Sequence, residues 1–177
     1  MLLNPPPHKE TDRLRVLHQY DILDTPAEDI FDQIIRDIAV ELKVPIALFC
    51  LIDDKRLWFK ARVGLSIAEA DHTNSFCGHV IATNSPLVIE DTGADATLAE
   101  NPFVIGYPNV AFYAGVPVRS TDQTPLGTVC AIDKTPRKFP WEQFLKLKEA
   151  AKLVECQLEE RLANNTVRSL TQQQSKR

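Results

Sequence analysis

The sequence predicts an α+β fold organised on a central antiparallel sheet of five or six strands, and three observations carry that expectation. Residues 110–118 alternate, with Val110, Phe112, Ala114, Val116 and Val118 on one face and Ala111, Tyr113, Gly115 and Pro117 on the other, the two-residue period of a strand. Residues 46–52 and 126–132 are apolar at nearly every position, which marks strands covered on both faces and therefore placed inside the sheet. Two longer segments, 30–42 and 144–158, repeat apolar residues at helical spacing, and such stripes must pack on something.

From the N-terminus, Pro5-Pro6-Pro7 favours an extended chain, so residues 1–9 are expected to form a flexible tail. Thr11 can cap a short helix carrying Leu14, Leu17 and Tyr20, and Leu23-Asp24-Thr25-Pro26 ends it. Thr25-Pro26-Ala27-Glu28 reads as a capping box, with a hydroxyl at N-cap, proline at the first helical position and glutamate at the third. The helix it starts should run to about Lys43, with Ile30, Phe31, Ile34, Ile35, Ile38, Ala39 and Leu42 along its buried side. After Pro45 comes the central strand 46–52, then a polar turn at Asp54-Lys55. The next strand, 57–63, sets Leu57, Phe59, Ala61 and Val63 against a wetter face of Trp58, Lys60 and Arg62.

Residues 64–74 show no period and read as a loop. Ser75 or Asn74 can cap a short helix over 76–82, Pro86 precedes a third strand at Leu87-Val88-Ile89, and residues 94–100 have room for one helical turn. The polar run 120–125 reverses the chain between the two strands of the closing hairpin. A last helix begins near Pro140 without a good cap. Phe144, Leu147, Ala151, Val154 and Leu158 give it a heptad seam, which Arg161 and Asn165 interrupt. Residues 161–177, polar and glutamine-rich, are expected to be a fraying helix end.

Composition narrows the class. A chain of 177 residues with 44% hydrophobic residues suits one domain with a sizeable core. The longest apolar run falls far short of the ~20 residues of a membrane helix, and the N-terminus has no apolar leader, so a cytoplasmic protein that does not enter a membrane is expected. A net charge of -4 with dispersed basic residues disfavours nucleic acid as a partner. Cys50, Cys77, Cys130 and Cys156 form no C-x-x-C pair and no zinc-ribbon spacing, so no metal is expected, and Cys50 and Cys130 read as core residues.

The segment from Phe112 through Tyr113-Ala114-Gly115-Val116-Pro117-Val118, followed by Leu126-Gly127-Thr128-Val129-Cys130-Ala131-Ile132-Asp133, resembles the last two strands of a GAF domain. Similar segments precede it in the family's order: Leu23-Asp24-Thr25-Pro26, Pro45-Ile46-Ala47, Ile52-Asp53-Asp54, Trp58-Phe59-Lys60-Ala61, Ser75-Phe76-Cys77-Gly78-His79 and Asn101-Pro102. The resemblance covers roughly residues 10–160, which are accordingly expected to be the GAF domain. It implies a cytosolic ligand-sensing or dimerising module, with the terminal helices on one face of the sheet and short helices and loops enclosing a pocket on the other. In relatives that signal within one chain, a kinase, cyclase or DNA-binding domain follows the last helix. No residues remain for one here, so signalling in trans to a separate output protein, a kinase or cyclase, is expected.

Several family chemistries do not fit the motifs. Cys77 and His79 are two residues apart, about 200° around a helix, so they cannot both face one pocket as a nucleophile pair if the helix includes both. A tetrapyrrole-binding GAF domain would typically present Cys directly followed by His, and Gly78 separates them here, so neither bilin nor haem is expected. Asn101-Pro102-Phe103 does not reproduce the cyclic-nucleotide signature Asn-Lys-Phe-Asp-Glu. Ala111 and Thr97 stand where relatives often carry arginines, which disfavours a strongly anionic ligand. Free methionine-(R)-sulfoxide reductases share the fold and need cysteines close enough to form a disulfide; the cysteine spacing does not match theirs, although Cys77 could approach Cys50 or Cys130 in space.

Three readings follow: a small-molecule sensor acting in trans as a homodimer through its terminal helices, a degenerate module used only for dimerisation or partner binding, and a sulfoxide-reductase-like thiol enzyme. The resemblance places the pocket between the sheet and the short-helix layer. Phe76, Phe112 and Thr128 are expected to line it, with Cys77, His79 and Asp91 as further ligand-binding candidates and no catalytic residue assigned.

Overall fold

A computed structural model describes residue 2 and residues 7–174. Residues 1 and 3–6 of the expected tail lie outside the described residues, and residues 7–9 already belong to helix α1, Pro7–Gln19. Thr11 is therefore inside the helix rather than at its cap, because Pro7 supplies a start at which a missing N–H costs nothing. The chain continues through α2 (Asp29–Leu42), β1 (Ile46–Ile52), β2 (Arg56–Val63), β3 (Glu69–Asp71), α3 (Phe76–Thr83), β4 (Leu87–Ile89), a 3-10 turn (Thr92–Ala94), α4 (Pro102–Ile105), β5 (Phe112–Arg119), β6 (Pro125–Asp133) and α5 (Trp141–Gln174). The α+β class and the central antiparallel sheet are as expected: six strands in the order β3-β2-β1-β6-β5-β4, all paired antiparallel.

The mostly apolar strands β1 and β6 lie at the centre, and every residue of β1 is buried. Their side chains divide between two cores. Ala47, Phe49, Leu51, Val129 and Ala131 join Phe112, Ala114, Val116 and Val118 of β5 beneath α1, α2 and α5. Leu48, Cys50, Cys130, Ile132 and Tyr113 join the core beneath α3 and the loops around it. Strand β3 pairs with residues 56–58 of β2 inside the segment expected to be a loop; three residues are too few to show a period.

Two local readings are corrected at one place. The capping box does not form: α2 begins at Asp29 with Glu28 as an N-cap that makes no side-chain cap bond. The Thr25 hydroxyl donates to the Ile22 carbonyl, 2.5 Å, and accepts from Lys60 Nζ at 2.8 Å. Lys60 also donates to the Pro26 carbonyl, 2.6 Å, and to Glu28 Oε2, 2.5 Å. The expected wetter face of β2 survives only at Arg62, which is exposed, since Trp58 and Lys60 are both buried. Cys50 pairs with Phe59 and Phe49 with Ala61, so Lys60 is the extra residue of a β-bulge. The bulge sends Phe59 to one core and Ala61 to the other, and a buried ammonium needs the partners that the Thr25–Glu28 segment supplies.

The heptad seam of α5 is turned inward. Leu147, Ala151, Val154 and Leu158 are buried against the chain's own sheet and α2, with Phe144 packed at their edge. Arg161 and Asn165 continue that line as polar anchors: Arg161 pairs with Glu28 and donates to the Tyr20 and Asp21 carbonyls, and Asn165 donates to the Tyr20 carbonyl. The helix stays regular to Gln174.

Candidate functional site

On the face of the sheet opposite the long helices, α3 lies across β1, β5 and β6. Ser75 starts it: its hydroxyl accepts from the Gly78 amide at 2.8 Å, which places Phe76 and Cys77 in the first turn facing the sheet. Phe76 stacks on Tyr113, with ring centroids 5.0 Å apart and planes 23° from parallel. The Tyr113 side chain runs along its own strand over Gly115, where a Cβ would sit 2.2 Å from the hydroxyl oxygen. That hydroxyl is 3.3 Å from Cys77 Sγ.

Beside this stack is a cavity of about 40 Å³. Leu48, Leu57, Phe59, Tyr113 and Ile132 form its floor, with Phe76, Cys77, Leu65 and Ala70 on its walls and Phe103, Pro108 and Val110 over it. No charged side chain lines it. The covering segment is held at two points. Tyr107 Oη accepts from the Ser66 amide at 3.1 Å, and Asn101 Nδ2 donates to the Asn74 carbonyl at 2.8 Å. Larger clefts are open and polar, such as one of about 340 Å³ where Glu28, Gln157, Arg161 and Asn165 meet between α2 and α5. They lack the convergent apolar walls of a small-molecule site.

The six candidate residues separate. Phe76 and Cys77 line the cavity. Thr128 lies on the same side of β6 but below the cavity, beside the Cys77 and Cys130 thiols, fully buried and without a hydrogen-bond partner of regular geometry. His79 is half-buried on another side of α3 and outside the lining, and burial holds its imidazole below the ordinary value. Asp91 is exposed and caps the 3-10 turn, accepting from the Gly93 amide at 2.8 Å. Phe112 does not reach the pocket: it belongs to the core under the long helices, 5.3 Å from Phe139 between ring centroids and with the Arg137 guanidinium over its face.

Tyr113 occupies the role expected of Phe112. The alternation of β5 assigns the two residues to opposite faces, as read from the sequence, and the pocket lies on the face of Tyr113. Pairing along β5 begins only where the Ala111 amide donates to the Asp133 carbonyl, and Val110 instead donates to the Phe103 carbonyl and turns into the cavity. Gly115 was the available signal, since a strand glycine marks a close approach.

Cys77 is the thiol best placed to ionise. Cys130, then Cys50, can donate to it, with the Thr128 and Tyr113 hydroxyls adding to the effect, and together these outweigh burial and hold its pKa well below the ordinary thiol value. Burial first, then the hydrogen-bonding and charge effects of the neighbouring Cys77, push Cys50 up. No group of three or more His, Cys, Asp or Glu side chains suited to a metal occurs among the described residues.

Comparison with known proteins adds the following. The GAF domain family model matches residues 26–158. A cyclic di-GMP phosphodiesterase of Pseudomonas aeruginosa is 33% identical over 137 residues, 77% of this chain; the match spans 23% of that protein. Among solved structures, the GAF domain of an Acinetobacter phosphoenolpyruvate-protein phosphotransferase superposes with a TM-score of 0.61 at 19% identity, covering 92% of this chain and 97% of that one. Free methionine-R-sulfoxide reductase from Neisseria meningitidis superposes with a TM-score of 0.60 at 18% identity, covering 90% and 95%. At such identities the two structures show a shared fold.

Proposed function

The chain belongs to the GAF domain family, and from that premise we propose that it is a sensory module that takes a small, uncharged molecule into the cavity under α3 and α4 and signals as a homodimer. The observation that carries this is the cavity's lining, apolar but for Ser75, the Cys77 thiol and Tyr113, and without an Asp, Glu, Lys, Arg or His side chain. A charged ligand would lose its hydration there without gaining a partner. The same physics disfavours the sulfoxide-reductase reading, because free methionine sulfoxide would bring an ammonium and a carboxylate to walls that pair with neither.

Size sets the second reading. Small-molecule sites usually enclose upwards of ~300 Å³, and about 40 Å³ is close to a filled core. A ligand must therefore be very small or must lift the segment held by Tyr107 and Asn101. A module whose pocket stays filled by its own side chains, and which serves only dimerisation or partner binding, is the alternative that this volume favours. A thermal-shift screen of small uncharged metabolites, with native mass spectrometry of hits, separates the two. At one hundred times its dissociation constant a ligand adds about 2.7 kcal/mol. Ala70→Leu, which narrows the cavity, should abolish that gain, and a screen without a single Ala70-dependent hit sinks the sensing reading.

The dimer surface proposed here is not the seam expected from the sequence, which the chain's own core consumes. On the other side of α5, Leu153, Cys156, Ala163, Val167 and Leu170 recur at heptad-compatible spacing, with Glu160 at the position between Cys156 and Ala163, and Leu153, Val167 and Leu170 are more than half exposed. Pairing of two copies along this face would bring the helices into register as the route to the output, proposed to be a kinase or cyclase of a separate protein. Light scattering at micromolar concentration should report a dimer, and Val167→Glu with Leu170→Glu should give a folded monomer. A wild-type monomer would remove the proposal. No described helix is long and apolar enough to cross a membrane.

A further inference from the structure

Three thiols from three elements meet below the cavity. Cys50 of β1, Cys77 of α3 and Cys130 of β6 are all buried and free. Strand register fixes two of them, since Cys50 lies opposite Thr128 and Cys130 lies opposite Gly115. Gly115 is the position over which the Tyr113 hydroxyl sits, and Cys77 Sγ is 3.3 Å from that hydroxyl, so α3 holds Cys77 above Cys130. Each of these two thiols shifts the other's ionisation, as close neighbours do. The Thr128 hydroxyl beside them is buried and has no hydrogen-bond partner of regular geometry. Of the three thiols only Cys77 reaches the cavity wall.

We propose that Cys77 and Cys130 form a peroxide-responsive dithiol, in which a hydroperoxide entering the cavity oxidises Cys77 and Cys130 closes the disulfide that ties α3 to β6. Hydrogen peroxide is small enough for a space of about 40 Å³, and Ser75 and Cys77 bring polar groups to its lining. The Cys77 thiolate attacks one peroxide oxygen and the O–O bond breaks; the leaving hydroxide takes up the thiol proton and departs as water, leaving a sulfenic acid. Cys130 sulfur then attacks the Cys77 sulfur, an S–S bond forms, and the S–OH oxygen leaves as a second water with the Cys130 proton. Two thiols lose two electrons and one peroxide becomes two waters. Cys77, on the cavity wall, is the thiol that a peroxide meets first, and its neighbours favour the thiolate; Cys130, away from the wall and held protonated by the neighbouring Cys77 thiolate and by burial, is the resolving partner. A bond between helix and sheet would fix the wall on which Phe76 stands and so lock the pocket's shape. None of this requires the ligand proposed above, and the two ideas fail separately.

The test is peptide mapping of the intact chain treated with hydrogen peroxide under native conditions, quenched with N-ethylmaleimide and digested without reductant. The expected product is a Cys77–Cys130 cross-linked peptide that dithiothreitol removes. With Cys130→Ser the reaction should stop at a sulfenic acid on Cys77 that dimedone traps, and Cys77→Ser should give neither product. Recovery of both residues as alkylated thiols while the exposed Cys156 is oxidised overturns the proposal, as does a bond between Cys77 and Cys50. The wild-type map decides the matter even if a variant does not fold.

Discussion

The two faces of the sheet are covered by very different material. On one, α2 with 14 residues and α5 with 34 lay continuous apolar stripes over β1, β5 and β6, and the core beneath them includes most of the largest buried side chains. On the other, α3 with 8 residues, α4 with 4 and a short 3-10 turn cover the sheet in pieces, and a cavity remains among them. Long helices bury enough surface to fix their own position, whereas one- and two-turn helices depend on single caps and hydrogen bonds. A sheet so covered keeps its stability on one side and its capacity to change on the other. It also explains why the thiol cluster and the cavity lie together: both are under α3.

This contrast can be broken most severely from the helix face. Leu158→Ala should cost about 2–5 kcal/mol in urea unfolding, and Leu158→Glu should prevent folding rather than dissociate a dimer. A folded, merely monomeric Leu158→Glu protein would show that α5 does not use this side for its own core. Next in size is the bulge that separates the two cores. Glu28→Gln leaves the buried Lys60 ammonium, and Arg161 as well, facing a neutral amide in place of a carboxylate, and because Glu28 is partly exposed the expected loss is about 1–2 kcal/mol. Lys60→Met in the same background should recover part of it; no recovery would mean that the ammonium is not the source of the cost.

The pocket face should respond less. Gly115→Ala must push aside the Tyr113 hydroxyl, for about 1–2 kcal/mol, and near-ultraviolet circular dichroism should register the disturbed Phe76–Tyr113 stack. An unchanged spectrum would place Tyr113 elsewhere. Smallest of all, Thr128→Val removes a buried hydroxyl without a regular partner and should be neutral or stabilising by up to about 1 kcal/mol. A clear loss of stability would reveal a bond at that oxygen.

Much of this division was legible in the sequence. The nearly continuous apolar runs of β1 and β6 marked the sheet's centre because strands covered on both sides carry few polar residues, and the stripe of α2 named every buried side chain of that helix, with Ile30, which is exposed, added in error. Ser75 announced α3 correctly. What failed depends on contacts distant in sequence. The Thr25–Glu28 pattern satisfies a capping rule, yet Lys60, far along the chain, needs those oxygens more than the helix amides do. One inserted residue in β2 reverses the faces of everything beyond it, and alternation alone does not reveal where the insertion falls. The α5 seam is a real periodicity, but a heptad pattern does not say whether its partner is another copy or the chain's own sheet. Of the candidate site, Phe76 and Cys77 were found, and Tyr113 was missed by one residue because the pocket was assigned to the wrong face of β5.

The central claim, that ligand response belongs to the face under α3 and α4, is tested most directly by methyl NMR on leucine-labelled protein titrated with each uncharged metabolite that raises the melting temperature. Leu48, Leu57 and Leu65 line the cavity, and Leu147 and Leu158 lie under the long helices. The account predicts saturable shifts at the first three with the last two unmoved at the earliest additions. Shifts that begin at Leu147 and Leu158 while Leu48, Leu57 and Leu65 stay in place would contradict it.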